Sequence, residues 1–161
     1  MEAIEHEQIS ILAVDDQPEN LLALRALFAN TPLEVVTAAS GKEALKHLMD
    51  GEFAVILMDA SMPIMDGFET SRAIRAREKT RHVPIIFLTA THKDTLHAET
   101  GYYVGAVDYI FKPLVPEILR AKVSVFVELF RKTKELRTQS KELSAYKAEL
   151  EQSVSMLQSF N

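Results

Sequence analysis

Cysteine is absent from the 161 residues, which excludes disulfides and thiolate metal sites. There is no basic excess either. Eighteen Lys and Arg stand against 23 Asp and Glu, a net charge of −5, whereas a bulk nucleic-acid binder is usually basic. No apolar run approaches the ~20 residues of a membrane span. The N-terminus, Met1 to Glu7, is acidic and lacks the positively charged start of a secretory signal. These absences set the expectation of a soluble, cytoplasmic protein that contacts neither membrane nor nucleic acid directly. Glycine and proline are missing from Glu117 to Phe160, so nothing there interrupts a helix.

What is present is a hydrophobic share of 47%, enough for a buried core in one domain with an extension. Apolar runs of strand length alternate with helical patterns, the rhythm of βαβ units and a parallel sheet. Strands are predicted near 9–14, 33–38, 53–58, 84–89 and 107–111. The runs at 9–14, 53–58 and 84–89 are almost continuously apolar, as interior strands covered on both faces are. The run at 33–38 is short and carries Glu34, which fits an edge strand. One helix is predicted from Pro18 to about Asn30, with Leu21, Leu22, Leu24, Leu27 and Phe28 as its buried stripe. Ser40 caps a second, whose Ala44, Leu45, Leu48 and Met49 recur at helical spacing. Gly67 opens a third, with Phe68, Ala73 and Ile74 facing inward. A fourth, with a thin apolar stripe, is predicted over 92–104. The fold class is α/β: a doubly wound, five-stranded parallel sheet with a long C-terminal helical extension.

Acidic side chains stand where two of these runs stop. Asp15 and Asp16 close the first, and Asp59 closes the third. In an open parallel sheet, ligands bind beyond the carboxyl ends of strands, where the strand order reverses. With the order 2-1-3-4-5, strands 1 and 3 flank that point. Three crowded carboxylates repel one another unless a hard cation lies between them. With no His or Cys nearby, oxygen-only coordination favours Mg2+ or Mn2+. Asp59 is then both a ligand and a nucleophile able to form an aspartyl phosphate. Two further strand ends bring Thr89 and Lys112, a hydroxyl and an ammonium suited to phosphoryl oxygens. Each residue alone has an ordinary alternative: a helix cap for Asp15 and Asp16, a turn for Asp59, a strand end for Thr89, a solvated charge for Lys112. The argument lies in all five falling at the carboxyl ends of successive strands.

These residues carry a resemblance. Val14-Asp15-Asp16-Gln17-Pro18, Leu57-Met58-Asp59, Met62-Pro63-Ile64-Met65-Asp66-Gly67, Leu88-Thr89-Ala90 and Tyr109-Ile110-Phe111-Lys112-Pro113 resemble, in order and spacing, the response regulator receiver domain of two-component signalling. The resemblance implies a flavodoxin-like fold over residues 9–120, after an N-terminal tail at 1–8. It implies that Asp59 accepts a phosphoryl group from a sensor histidine kinase. Asp15 and Asp16, with the backbone carbonyl of Ser61, would complete a Mg2+ site around Asp59, and Lys112 would contact the phosphoryl group. Thr89 and Tyr109 would be the switch pair, and the surface formed by the 92–104 helix, the last strand and the base of the long helix would carry the output. Such a domain is a phosphoacceptor, not an enzyme with an independent substrate. A Mg2+-dependent aspartyl-phosphate phosphatase is the enzyme alternative, but its Asp-x-Asp after the first strand is not the pattern here. An FMN binder with the same strand order would be repelled at its phosphate by Asp15 and Asp16.

Residues 121–161 read as an extended helix. Leu129, Leu136, Leu143, Leu150 and Leu157 recur every seventh residue, a coiled-coil signal. The companion row three before each leucine is Phe126, Thr133, Ser140, Lys147 and Val154, apolar at its ends and polar in its middle. The expectation is a homodimer with the leucines as its seam, acting as a signalling linker. The competing reading is one amphipathic helix packed on its own domain. A basic run at Arg131, Lys132, Lys134 and Arg137 is interleaved with Glu128 and Glu135 and reads as a solvated face. The sequence fits a fragment of a hybrid histidine kinase, a regulator with an enzymatic output, or a single-domain regulator with a dimerising tail, and does not separate them.

Overall fold

A computed structural model of the chain describes residues 8–90 and 108–160. The chain divides into two compact units, Met1–Val127 and Glu128–Asn161. The elements, in chain order, are β1 (Ser10–Val14), α1 (Pro18–Leu27), β2 (Glu34–Ala38), α2 (Gly41–Asp50), β3 (Ile56–Asp59), α3 (Gly67–Ala76), β4 (Ile85–Thr89), β5 (Asp108–Phe111) and α4 (Pro116–Gln158). The helix predicted over 92–104 lies outside the described residues. Among the described residues no helix is long and apolar enough to cross a membrane.

In the first unit, five parallel strands form one sheet in the order β2-β1-β3-β4-β5, as predicted. The register sets Val14 beside Met58, Asp59 beside Leu88, and Thr89 beside Phe111. The ends that carry chemistry are therefore level with one another. Successive strand side chains point to opposite faces, and in the central strands both faces are buried. Leu12, Val14, Ile56, Met58, Ile85 and Phe87 pack with Ala44 and Leu48 of α2 and Ile74 of α3. The residues of opposite parity, Ile11, Ala13, Leu57, Ile86 and Leu88, are equally buried. This is why those strands read as continuous apolar runs.

The helices begin where their side chains stop them unravelling. Ser40 accepts from the Glu43 N–H at 3.1 Å, while Glu43 accepts from the Ala39 N–H at 3.0 Å, a reciprocal cap on α2. Asp66 caps α3 by accepting from the Glu69 N–H at 2.8 Å. α1 has Gln17 as its cap residue, without a side-chain bond, and Pro18 at its start. Neither Asp15 nor Asp16 is its cap. The helix stops at Leu27, earlier than predicted, and Leu22 is 69% exposed rather than part of the buried stripe. Leu24 and Phe28, four apart, carry the burial. β3 also starts later than its apolar run. Phe53, Ala54 and Val55 are buried ahead of it, and Asp59 itself is the last strand residue.

The first turns of α4 belong to this unit, with Leu119, Val123 and Val127 buried at helical spacing. In the second unit α4 continues to Gln158, and Leu129, Leu136, Leu143, Leu150 and Leu157 are between 49% and 69% exposed.

Candidate functional site

Parallel strands in register bring Asp15, Asp16 and Asp59 together at the carboxyl ends of β1 and β3. One carboxylate oxygen from each lies within 4.8 Å of the others. Asp15 is buried and tightly held. It accepts from the Gln17 N–H at 2.9 Å on one oxygen and from the Asn20 side-chain amide at 3.1 Å on the other. Asp16 is half-buried. Asp59 is buried and accepts from the Ser61 N–H at a long 3.4 Å.

Lys112 enters from the chain just after β5. Its Nζ lies 3.7 Å from Asp59 Oδ1 and 3.8 Å from Asp15 Oδ2. Its backbone N–H donates to the Thr89 carbonyl at 2.8 Å, which fixes it to the end of β4. The Lys112–Pro113 peptide is cis. Three formal negative charges against one positive leave the cluster at −2. The Asp59 carboxyl is held above the ordinary value of 3.8, first by burial and then by the charge of Asp15. The Lys112 ammonium and the Ser61 N–H pull the other way, and Asp16 adds a smaller upward push. An excess of buried negative charge on oxygen ligands alone is the donor chemistry that a hard divalent cation satisfies.

The segment after Asp59 is shaped closely around it. Gly67 begins α3 against the strand end. A Cβ there would stand 2.2 Å from the Asp59 carbonyl oxygen and 3.0 Å from Ala60 Cα. Ile64, between them, has φ 68° and a fully exposed side chain, an unusual conformation for a β-branched residue. A cavity of about 180 Å³ opens beside the acids, lined by Asp15, Asn20 and Lys112 and by the apolar Leu24, Leu88 and Leu114.

Thr89 is buried at the end of β4. Tyr109 lies on β5 beside Phe87, its ring stacked on that of Phe87 at 5.6 Å. Phe87 in turn meets Phe68 of α3 at 4.8 Å. Burial pushes the Tyr109 hydroxyl pKa above its ordinary value. The structure thus brings Asp15, Asp16, Asp59 and Lys112 into one cluster, with Thr89 bonded through its carbonyl to the backbone of Lys112. Tyr109 lies on the aromatic row with Phe87 and Phe68. Sequence reasoning missed Asn20. No spacing rule points to it, because its bond to Asp15 depends on how the first turn of α1 leaves β1.

The family profile of the response regulator receiver domain matches residues 11–124. The chain is 35% identical over 121 residues to a probable cyclic di-GMP phosphodiesterase of Vibrio cholerae, covering 75% of this chain and 27% of that protein. It is 37% identical over 114 residues to the transcriptional regulatory protein SrrA of Staphylococcus aureus, covering 70% of this chain and 46% of that protein. It therefore spans between about a quarter and a half of the length of these relatives. Among solved structures, the chemotaxis response regulator CheY4 of Vibrio cholerae superposes with a TM-score of 0.68 at 33% identity, covering 74% of this chain and 98% of that one. The receiver domain of the sensor histidine kinase PA1611 of Pseudomonas aeruginosa, solved with a magnesium ion coordinated in its active-site cleft, superposes with a TM-score of 0.69 at 31% identity. That match covers 75% of this chain and 98% of that domain.

Proposed function

Since the chain belongs to the response regulator receiver family, we propose that it is a phosphorylation-controlled receiver that takes a phosphoryl group from a sensor histidine kinase onto Asp59. The observation that carries this reading is the cluster of Asp15, Asp16 and Asp59 with one ammonium 3.7 Å from the Asp59 carboxylate. Asp15, Asp16 and Asp59, with the Ser61 carbonyl, are the groups that would hold Mg2+, or Mn2+ in its place. When bound, the cation neutralises the carboxylates and screens them from the incoming phosphoryl oxygens.

The chain's own residues do the rest. An Asp59 carboxylate oxygen bonds to phosphorus as the phosphorus–nitrogen bond of the donor phosphohistidine breaks. Burial without full hydrogen bonding leaves that oxygen available. Lys112, already bonded through its backbone to the end of β4, stabilises charge on the transferring oxygens. The product adds about −1.5 to −2 charge at the acceptor. Thr89 donates its hydroxyl to the new acceptor oxygens, and Tyr109 changes position in response. The change is read on β5, the 92–104 segment and the first turns of α4, a two-state switch that works away from the charge. The domain is a phosphoacceptor and has no free substrate to turn over. Residues 9–120 are the receiver and 121–161 the signalling linker, which makes the protein a cytoplasmic homodimer through its leucines. Likeness to a phosphodiesterase favours one further reading, in which this receiver governs an enzymatic output carried in the same protein.

Incubation with acetyl phosphate and Mg2+ followed by intact-mass measurement tests the acceptor. One acid-stable, base-labile phosphoryl adduct is expected, absent from Asp59→Asn. An equal adduct on the variant overturns the assignment.

A further inference from the structure

The seam of the proposed homodimer has a second row, and the exposed face of α4 identifies it. Within the first unit, Leu119 and Val123 are fully buried, Val127 is 6% exposed and Phe126 is half-buried. Ile118 and Val125, on the same turns, are 49% and 57% exposed. At about 100° per residue, Val125 points within ~40° of Leu129 and Ile118 within ~20°. Val123 and Val127 point ~120° and ~160° away from it. The row three before each leucine therefore starts at Phe126, already turned partly into the receiver. The row four before each leucine starts at the open Val125, with the open Ile118 one heptad earlier.

Resting on the homodimer reading above, we propose that the leucines pair with the row Val125, Lys132, Gln139, Tyr146 and Ser153, which Ile118 extends one heptad back, in a parallel two-chain coiled coil that begins within the first unit. The occupant of this face is a second copy of the same chain, because a seven-residue apolar repeat needs a partner helix of the same period. Charge selects the orientation. With leucines at the first core position of the heptad, Glu128, Glu135, Glu142 and Glu149 each immediately precede one. An antiparallel pair would set this glutamate row against its own copy, and like charges so placed repel. A parallel pair sets it against Thr133, Ser140 and Lys147 instead, with Glu142 meeting an opposite charge. Lys132, inside the row, has its ammonium 3.6 Å from Glu135 of its own helix. The polar centre then fixes register more than it adds stability. The turns from Ile118 to Val127 carry two faces at once, one built into the receiver core and one meeting the partner. Movement of those turns against the sheet would reach the seam directly.

A chain without cysteine lets single cysteines report the register. Val125→Cys, Gln139→Cys and Ser140→Cys would each be made in the full chain and oxidised with copper phenanthroline. On non-reducing gels the first two should run as covalent dimers and Ser140→Cys as a monomer. Cross-linking of Ser140→Cys as complete as that of Gln139→Cys overturns the assigned row. Failure of Val125→Cys alone overturns the parallel start within the first unit. Sedimentation of the unmodified chain as a monomer overturns the homodimer reading itself, and this proposal with it.

Discussion

Lys112 Nζ and Asp59 Oδ1 stand 3.7 Å apart. That is too far for a good hydrogen bond and close enough for strong attraction in a partly buried site. The ammonium is shared almost evenly with Asp15, 3.8 Å away. Lys112 therefore lowers the cost of gathering the acids without capping the Asp59 oxygen proposed to react.

Lys112→Ala should separate these two effects. Without the ammonium the Asp59 carboxyl moves further above 3.8, since Lys112 is the largest influence holding it down. In the proposed mechanism a charge on the transferring oxygens is also lost, an effect that at comparable sites costs about 100-fold or more in rate. The expected outcome is slower adduct formation with acetyl phosphate, by at least about tenfold, in a folded protein. An unchanged rate would remove Lys112 from the chemistry.

Asp59 makes stability depend on pH and on metal. Its carboxyl is raised by burial first and by Asp15 next, so the folded state binds the proton more tightly than the unfolded chain does. Stability is then lost as pH rises from 3.8 through the folded value, and the full penalty applies above it. Asp59→Asn removes the penalty. Without divalent cations the variant should melt at a higher temperature than wild type at pH 7, and the gap should close as pH falls toward 3.8. Mg2+ at a hundredfold excess over its Kd should stabilise wild type by about 2.7 kcal/mol and the variant by less. Thermal melts at three pH values, with and without Mg2+, check this. A wild type more stable than the variant at pH 7 without metal is the contrary result.

The acidic cluster was legible because strand ends are. Apolar runs stop where the chain leaves the core, so Asp15, Asp16, Asp59, Thr89 and Lys112 could be placed at one edge before any geometry was known. What apolar runs record is burial, and burial is not the same as strand. Phe53, Ala54 and Val55 are buried but precede β3. Leu22 failed for a related reason. Four leucines crowd into α1, and only geometry says that the face through Leu24 and Phe28 meets the sheet while Leu22 faces outward. The hydrogen bond from Asn20 to Asp15 depends on how α1 leaves β1, which no spacing rule gives. Thr70 and Ser71 are polar yet fully buried on α3. Thr70 resolves the conflict by donating to the Asp66 carbonyl at 2.8 Å.

Gly67 packs directly against the strand end that carries the proposed acceptor. A methyl there meets the Asp59 carbonyl oxygen at 2.2 Å and the Ala60 Cα at 3.0 Å, and neither belongs to a side chain that can swing aside. Gly67→Ala should destabilise by about 1–3 kcal/mol, as overpacking does, in spite of alanine's better helix propensity. Urea denaturation measures it. The displaced strand end should also slow phosphorylation. A variant as stable as wild type would mean that α3 can move away from β3 without loss.

Leu143 and Leu150 are 69% and 49% exposed in the single chain, so neither is needed for the receiver to fold. In the proposed dimer both are core residues. Changing each to Asp removes four leucines from the pair, and each is worth about 1.5–3 kcal/mol when fully buried. It also sets like charges against each other across the seam. The dissociation constant should rise by more than about 1000-fold, and the double variant should sediment as a monomer at micromolar concentration. Adduct formation with acetyl phosphate is the internal control, because the acceptor cluster lies wholly within the first unit. It should proceed at the wild-type rate. A double variant that remains dimeric while phosphorylating normally would place the contact between copies on another surface.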